Sequence, residues 1–364
     1  MRPTPGLTPV IAIVNVGVVI VAAVVLLLVY PLGGDDGDAP ATDLAGPAAS
    51  PAPPPSPSPS APPPATPESA RQARANELGM IPVLMYHRIL KKRLASIDRT
   101  PDQLRHELER LARSGYVPIT AAEFAEGAID VPAGAHPVVL TFDDGHPSHF
   151  ALGSDGRPKP GTAVRIIFDV AEKFPGFRPV ATFWINRAPF GLRDHARQAA
   201  AVQWLVEHGF EVGNHTHSHP DLHRLTAKKV SEAIVRQQRL LDSLGAPRTP
   251  TFALPYGSRP KKRSGAREGK WDGTKYDFDA VFLAGAQPAI SPYAKDYDPY
   301  NIPRIQSNGK KGECRKWCSE YWLGWLDKHP GRRYTSDGDL THVSMPRRFQ
   351  GKIQAKLRGV AIAY

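Results

Sequence analysis

Apolar positions fall into three regimes along the chain. Residues 10–30 are almost uninterruptedly apolar (VIAIVNVGVVIVAAVVLLLVY), long enough to cross a hydrocarbon core of about 30 Å as one helix. A secretory signal has a shorter apolar run of about 7–15 residues, closely followed by a small-residue cleavage site. Here Tyr30-Pro31-Leu32 follows instead, so an uncleaved transmembrane signal-anchor is expected over residues 1–32. Arg2 precedes the span and Asp35, Asp36 and Asp38 follow it, which orients the amino terminus toward the cytoplasm and the remainder outward. In residues 33–72 apolar bulk gives way to Pro, Ala and Ser. Such a tract cannot bury enough surface to fold and favours extended polyproline geometry, so a disordered linker acting as a stalk is expected.

From residue 73 to 364 short apolar runs alternate with amphipathic stretches. Ile81 to Tyr86, Pro137 to Phe142 and Val180 to Ile185 read as buried strands, with shorter ones at 210–212, 251–254 and 280–283. Thr100-Pro101 opens a helix with an N-cap and a first-turn proline, and Leu104, Leu108 and Leu111 recur along it at helical spacing. Further helices are predicted over 161–174, 196–208 and 226–244. Repeated strand–helix units imply an α/β fold on a parallel sheet, open or closed, with chemistry collecting at the carboxyl ends of the strands.

The formal charge of +11 favours an anionic neighbour such as lipid headgroups, an acidic wall polymer or nucleic acid. The expected outward topology argues against nucleic acid. Cys314 and Cys318 are the only two cysteines; they supply half of a structural zinc site at most and read as a local disulfide or two free thiols.

The reactive residues fall where the strands end. Asp143-Asp144-Gly145 closes the second strong strand, and two adjacent carboxylates there diverge, one toward a metal and one toward a substrate. In Gly213-Asn214-His215-Thr216-His217-Ser218-His219 the spacing puts His215 and His219 one helical turn apart on one face, with His217 pointing elsewhere. Two imidazoles and a distant carboxylate make a three-ligand site with an open position, as catalytic zinc requires. His146, His149, His217 and His223 read as surface or satisfied core histidines.

Thr141-Phe142-Asp143-Asp144-Gly145, then Glu211 to His219, then Leu254-Pro255-Tyr256-Gly257 resemble the successive signatures of the polysaccharide deacetylases with a NodB-homology domain, carbohydrate esterase family four. The resemblance covers most of residues 81–305. It implies a distorted (β/α) barrel of about seven parallel strands, a divalent metal (commonly zinc), and hydrolysis of N-acetyl or, less often, O-acetyl groups on polymers. Asp144, His215 and His219 resemble the metal ligands and Asp143 the catalytic base. Pro255, Tyr256 and Arg304 are expected on the substrate and oxyanion side, with a backbone N–H near Tyr256 facing the oxyanion.

Two departures from the family pattern stand out. Many members carry an orienting arginine where this chain has Ala253; Arg304 is the cation expected to substitute for it. Many take the general acid from a late Leu-x-His, which Leu340-Thr341-His342 spells after a turn-like Asp337-Gly338-Asp339. Pro82 to Ile89 instead resembles the first strand of a circularly permuted subgroup acting on exported poly-N-acetylglucosamine, which favours His87 over His342. A closed barrel tolerates such permutation because its first and last strands are neighbours.

The basic stretch at 258–267 (SRPKKRSGAR) can grip an anionic polymer or stand as a solvated insertion. Trp317, Tyr321, Trp322 and Trp325 suit a sugar-stacking surface or core packing. The expectation is thus a membrane-anchored, extracytoplasmic deacetylase acting on an N-acetylated amino-sugar polymer. The rivals are a hydrolase of another amide or ester, such as acetyl xylan or a cyclic imide, and an inactive glycan-binding module.

Overall fold

The computed structural model describes residues 64–364, so the expected span at 10–30 and most of the Pro-rich tract lie outside the described residues. Among the described residues no helix is long and apolar enough to cross a membrane. The end of the expected linker is a helix, Pro67–Ala73. Thr66 Oγ1 accepts from Ser69 N while Thr66 N donates to the Ser69 hydroxyl, and a proline in the first turn costs no hydrogen bond, so this composition can start a helix. Similar capping boxes at Thr100/Gln103 and Thr120/Glu123 start the helices Pro101–Arg113 and Ala121–Glu126.

The strands in chain order are β1 (Val83–Tyr86), β2 (Tyr116–Ile119), β3 (His136–Asp144), β4 (Thr182–Ile185), β5 (Glu211–Asn214) and β6 (Thr251–Ala253). They continue as β7 (Glu268–Trp271), β8 (Thr274–Asp277), β9 (Ala280–Phe282), β10 (Ile305–Gln306), β11 (Val343–Met345) and β12 (Ala361–Ala363). The main sheet runs β10-β1-β3-β4-β5-β6-β9, all parallel, with β2 beside the first half of β3. Its two ends approach through the parallel bridge Phe282–Ile302, where Leu283 N donates to Ile302 O (2.8 Å) and Ile302 N to Val281 O (3.1 Å). These seven strands match the expected barrel. Helices Ala163–Lys173, His195–Glu207 and Ala227–Ser243 connect β3 through β6.

Period-two alternation sorts the side chains. Leu84, Leu140, Phe142 and Phe183 face outward against Leu104 and Ile167 of the helices. Val83, Val139, Trp184, Ala253 and Phe282 fill the inner cluster. The same alternation carries Thr141 and Asp143 to the inner side above Val139. Cys314 and Cys318 are paired as a disulfide. Trp322 Nε1 donates to Ala286 O (2.6 Å) and Trp325 stacks on His329 (centroids 4.1 Å apart), while Trp317 stands 57% exposed.

Candidate active site

Asp143 and Asp144 follow one another at the end of β3 yet serve different neighbours, and the backbone explains how. Asp143 keeps strand geometry and stays buried, whereas Asp144 adopts φ +75°, a left-handed conformation that non-glycine residues rarely take. The turn swings its carboxylate to the open end of the barrel. Gly145 (φ +61°) completes it; a Cβ there would lie 3.0 Å from the Ile185 side chain.

His215 and His219 meet Asp144 there, although not as the spacing suggested. No helix connects them: residues 215–219 are a loop after β5 with positive φ at Thr216 (63°) and His219 (54°). Asn214 Oδ1 accepts from Thr216 N (2.8 Å) and Thr216 Oγ1 from His219 N (3.1 Å). These side-chain turns bring the two rings to 4.8 Å between centroids. His217 is turned away, its backbone N–H donating to Ala233 O on the helix behind.

His215 Nδ1 lies 2.8 Å from Ala253 O, a contact only an N–H can make, so the lone pair sits on Nε2. Among the described residues that Nε2 is buried without a hydrogen-bond partner; it lies 3.7 Å from Asp144 Oδ1 and 3.9 Å from Asp143 Oδ2. Burial holds the His215 imidazole below its ordinary pKa, the neutral form a metal requires. His219 Nε2 is 3.4 Å from Asp144 Oδ1, and the three ligand atoms lie within 4.8 Å of one another. A tetrahedral zinc about 2.0–2.1 Å from nitrogen and oxygen ligands holds them roughly 3.3–3.5 Å apart. The donor set and the orphaned His215 Nε2 therefore fit a divalent ion of the zinc type.

Asp143 is clamped from behind. Arg304 Nη1 and Nη2 each lie 2.7 Å from one of its oxygens. Arg304 Nε donates to Leu283 O (2.7 Å) and Nη1 also to Thr141 Oγ1 (3.2 Å), and the guanidinium rests over the Trp184 ring at 5.0 Å. Burial alone would raise the Asp143 carboxyl, but the Arg304 charge, with His215 beside it, holds it well below the usual carboxylate range. Arg304 is fully buried, so the expected contact with substrate is corrected: it acts through Asp143. Pro255 is buried as well, and Tyr256 is the exposed residue of that motif, at 70%.

Tyr256 takes φ +56° at the tip of the turn after β6, with its ring 4.5 Å from that of His219. The turn's hydrogen bonds run from Gly257 N to Leu254 O and from Ser258 N to Pro255 O, leaving Tyr256 N–H out of both. Gly257 is required there, because a Cβ would come 2.8 Å from Ala284 N.

His87 follows β1, with Nε2 4.0 Å from Asp143 Oδ2 and its side chain 16% exposed. His342 is remote. It pairs with Asp339 (2.7 Å) in a segment where Gly338 lies against Ala133, just before β3 begins. Asp143 is seven positions along from His136 at the start of β3, roughly 23 Å at 3.3 Å per residue.

One contact had no sequence signal. His149 Nε2 donates to the backbone carbonyl of His87 (2.5 Å), with its ring against Phe142 and Phe183. Burial pushes this histidine down to about 4, so it is a neutral donor at pH 7.

Residues 130–268 match the family model described as "Polysaccharide deacetylase". Among curated proteins, the peptidoglycan-N-acetylmuramic acid deacetylase PdaC of Bacillus subtilis (strain 168) is 32% identical over 120 residues, 33% of this chain and 21% of that protein. The chitooligosaccharide deacetylase of Bradyrhizobium sp. (strain ANU 289) is 28% identical over 143 residues, 39% of this chain and 54% of that protein. The chain thus spans between a fifth and about half of the length of these relatives. Among solved structures, the Streptococcus pyogenes deacetylase PplD in complex with acetate aligns with a TM-score of 0.47 at 19% identity, over 62% of this chain and 91% of that one.

Proposed function

We propose that the polysaccharide deacetylase domain of this chain, of the NodB type, removes N-acetyl groups from an extracytoplasmic amino-sugar polymer with the help of a divalent metal. The observation that carries this reading is the convergence of the Asp144, His215 and His219 ligand atoms within 4.8 Å, beside a carboxylate held by a buried arginine.

When bound to Asp144, His215 and His219, the metal, zinc by preference, supplies Lewis acidity toward the acetamide carbonyl and a water of lowered pKa. Asp143, kept ionised and fixed by Arg304, takes the water's proton as its oxygen bonds to the carbonyl carbon. Tyr256 N–H donates to the carbonyl oxygen as that oxygen gains charge. His87 gives a proton to the amide nitrogen as the C–N bond breaks, releasing acetate and a free amine. Arg304 supplies the cation missing at Ala253, which supports an active hydrolase over an inactive glycan-binding module.

Peptidoglycan and chitooligosaccharides, the substrates named for the curated relatives, share an N-acetylated amino sugar with the poly-N-acetylglucosamine implied by the early His87. Residues 10–30 anchor the chain in the cell membrane as a single pass, with the domain outside. The Cys314–Cys318 disulfide supports an oxidising compartment, and protease added to intact cells should remove the domain and spare the anchor.

The direct test of activity is acetate release from N-acetylglucosamine oligomers with zinc supplied or chelated. Release that stops on chelation and returns with metal supports the reading; release indifferent to chelation sinks the metal role. Metal binding without any release transfers the weight to another acylated substrate.

A further inference from the structure

The segment between the Pro-Tyr-Gly turn and β7 concentrates charge that the chemistry above does not use. It lies between two cavities. One, about 240 Å³, is lined by Arg259, Arg263 and Arg267, with Asp298 the only carboxylate on its wall. The other, about 410 Å³, is lined by Arg224, Lys261 and Lys262, with Glu268 as its only carboxylate. Each thus has three cations against one acid.

Most of that charge is unspent. Among the described residues, Lys261, Lys262 and Arg263 have no ion-pair partner, while Arg267 pairs with Glu268 and Arg224 with Asp221. Arg259 is tied by Nη2 to Asn301 Oδ1 (2.6 Å), and its Nε is buried without an acceptor. A protein tolerates an orphaned guanidinium N–H poorly unless something else supplies the acceptor.

The loop is also held in place and close to the chemistry. Ser258 Oγ donates to Asp221, and the Arg259 carbonyl lies 3.3 Å from His223 Nδ1. Arg267 lies over the Tyr300 ring at 5.0 Å. Arg259 lies three positions after Tyr256, at most about 11 Å of chain, so a polymer seated over Tyr256 passes this flank.

We infer that the arginines and lysines of residues 259–267 form an anion subsite that selects a glycan bearing carboxylates on the sugars next to the one deacetylated. Planar guanidinium forks match a carboxylate in two hydrogen bonds, and three arginines about one small cavity suit a single anionic group. The inference rests on the deacetylase reading for its polymer but not for its charge.

The test uses the full chain, metal-free for binding and zinc-loaded for turnover. The probes are an N-acetylglucosamine oligomer, an oligomer alternating N-acetylglucosamine with glucuronate, and a phosphate-bearing N-acetylglucosamine oligomer. The carboxylated oligomer should bind the metal-free protein about tenfold tighter than the neutral one, with the preference fading as salt rises. Arg263→Gln and Lys261→Gln/Lys262→Gln, whose side chains make no hydrogen bond or ion pair among the described residues, should bring that affinity toward the neutral level. Arg259→Gln should do so most strongly, while kcat on the neutral oligomer stays unchanged in all variants. Equal binding of neutral and carboxylated oligomers, or variants that keep the preference, would overturn the subsite. Tighter binding of the phosphate-bearing oligomer than of the carboxylated one would overturn the choice of carboxylate. Arginine-dependent binding without acetate release from any oligomer would defeat the deacetylase reading and leave the subsite standing.

Discussion

Asp143 and Glu77 are both buried carboxylates, one at each end of the barrel strands, and their surroundings drive them in opposite directions. Asp143 faces a buried guanidinium that meets both of its oxygens at 2.7 Å, and its pKa falls. Glu77 has no cation within ion-pair distance among the described residues. It accepts from Ser344 N (2.8 Å), Tyr334 Oη (3.1 Å) and Asp337 N (3.3 Å). Those donors favour the ionised form, but burial, reinforced by the nearby Asp337 carboxylate, outweighs them and pushes Glu77 up to about 8. One end holds a carboxylate ready to accept a proton; the other uses one to tie β11 and residues 334–337 to the segment before β1. Buried acid by itself says nothing of function; the partner decides.

Removing the cation should have the largest effect. Arg304→Met strands an ionised carboxylate in the barrel, a loss of about 3–5 kcal/mol in chemical denaturation. Acetate release should collapse with it. Arg304→Lys should recover stability better than activity, because an ammonium cannot hold both oxygens. Full activity in Arg304→Met would break the contrast with Glu77 at its source.

His87→Ala should lower kcat about a hundredfold or more, and His342→Ala should leave it within about twofold, since His342 lies at the far end of the strands. Steady-state kinetics on one oligomer compares the two; the reverse ranking would return the acid role to His342. His149→Phe keeps a ring between Phe142 and Phe183 but drops the hydrogen bond to the His87 carbonyl. It should cost about tenfold in kcat with KM unchanged, and equal kcat would reduce His149 to packing.

The smallest effect is in stability against pH. The Glu77 carboxyl is raised in the folded state, so its contribution is full below its ordinary value of 4.5 and is lost as pH rises toward about 8. The slope is at most about 1.4 kcal/mol per pH unit. Asp143 has the opposite sign: its contribution is full above the ordinary carboxylate range and falls away on acidification. Thermal melts between pH 7 and 8, above the range in which the buried histidines titrate, should drop with pH, and Glu77→Gln should flatten that drop. An unchanged slope in the variant would assign it to other groups.

What the sequence made legible follows the same division of partners. Strands at 81–86, 137–142 and 180–185 announced themselves by apolar runs, and Thr100-Pro101 by its cap. Asp143 and Asp144 stood out at the end of the second of these strands, and His215 and His219 by their four-residue spacing after the short strand at 210–212. Elements that depend on distant partners were silent. β2 is a four-residue strand containing Pro118, held at the β3 flank, and β10 has two residues recognisable only once β1 lies beside them. The β7–β8 hairpin hid inside the basic stretch's continuation, although Asp272-Gly273, with φ +46° and +80°, is a hairpin turn signal. The loop geometry of residues 215–219 escaped because four-residue spacing fits a helical turn and a side-chain-braced loop equally well. His149 acts through a backbone carbonyl 62 positions away, and nothing in a local pattern marks such a contact.

The most direct test of the whole account is acetate release by Asp143→Asn, with bound metal measured on the same sample. The account predicts stoichiometric zinc and acetate release reduced by a factor of about a hundred or more, because the ligands remain while the proton acceptor is gone. Zinc bound and acetate released at the rate of the unaltered protein would contradict it.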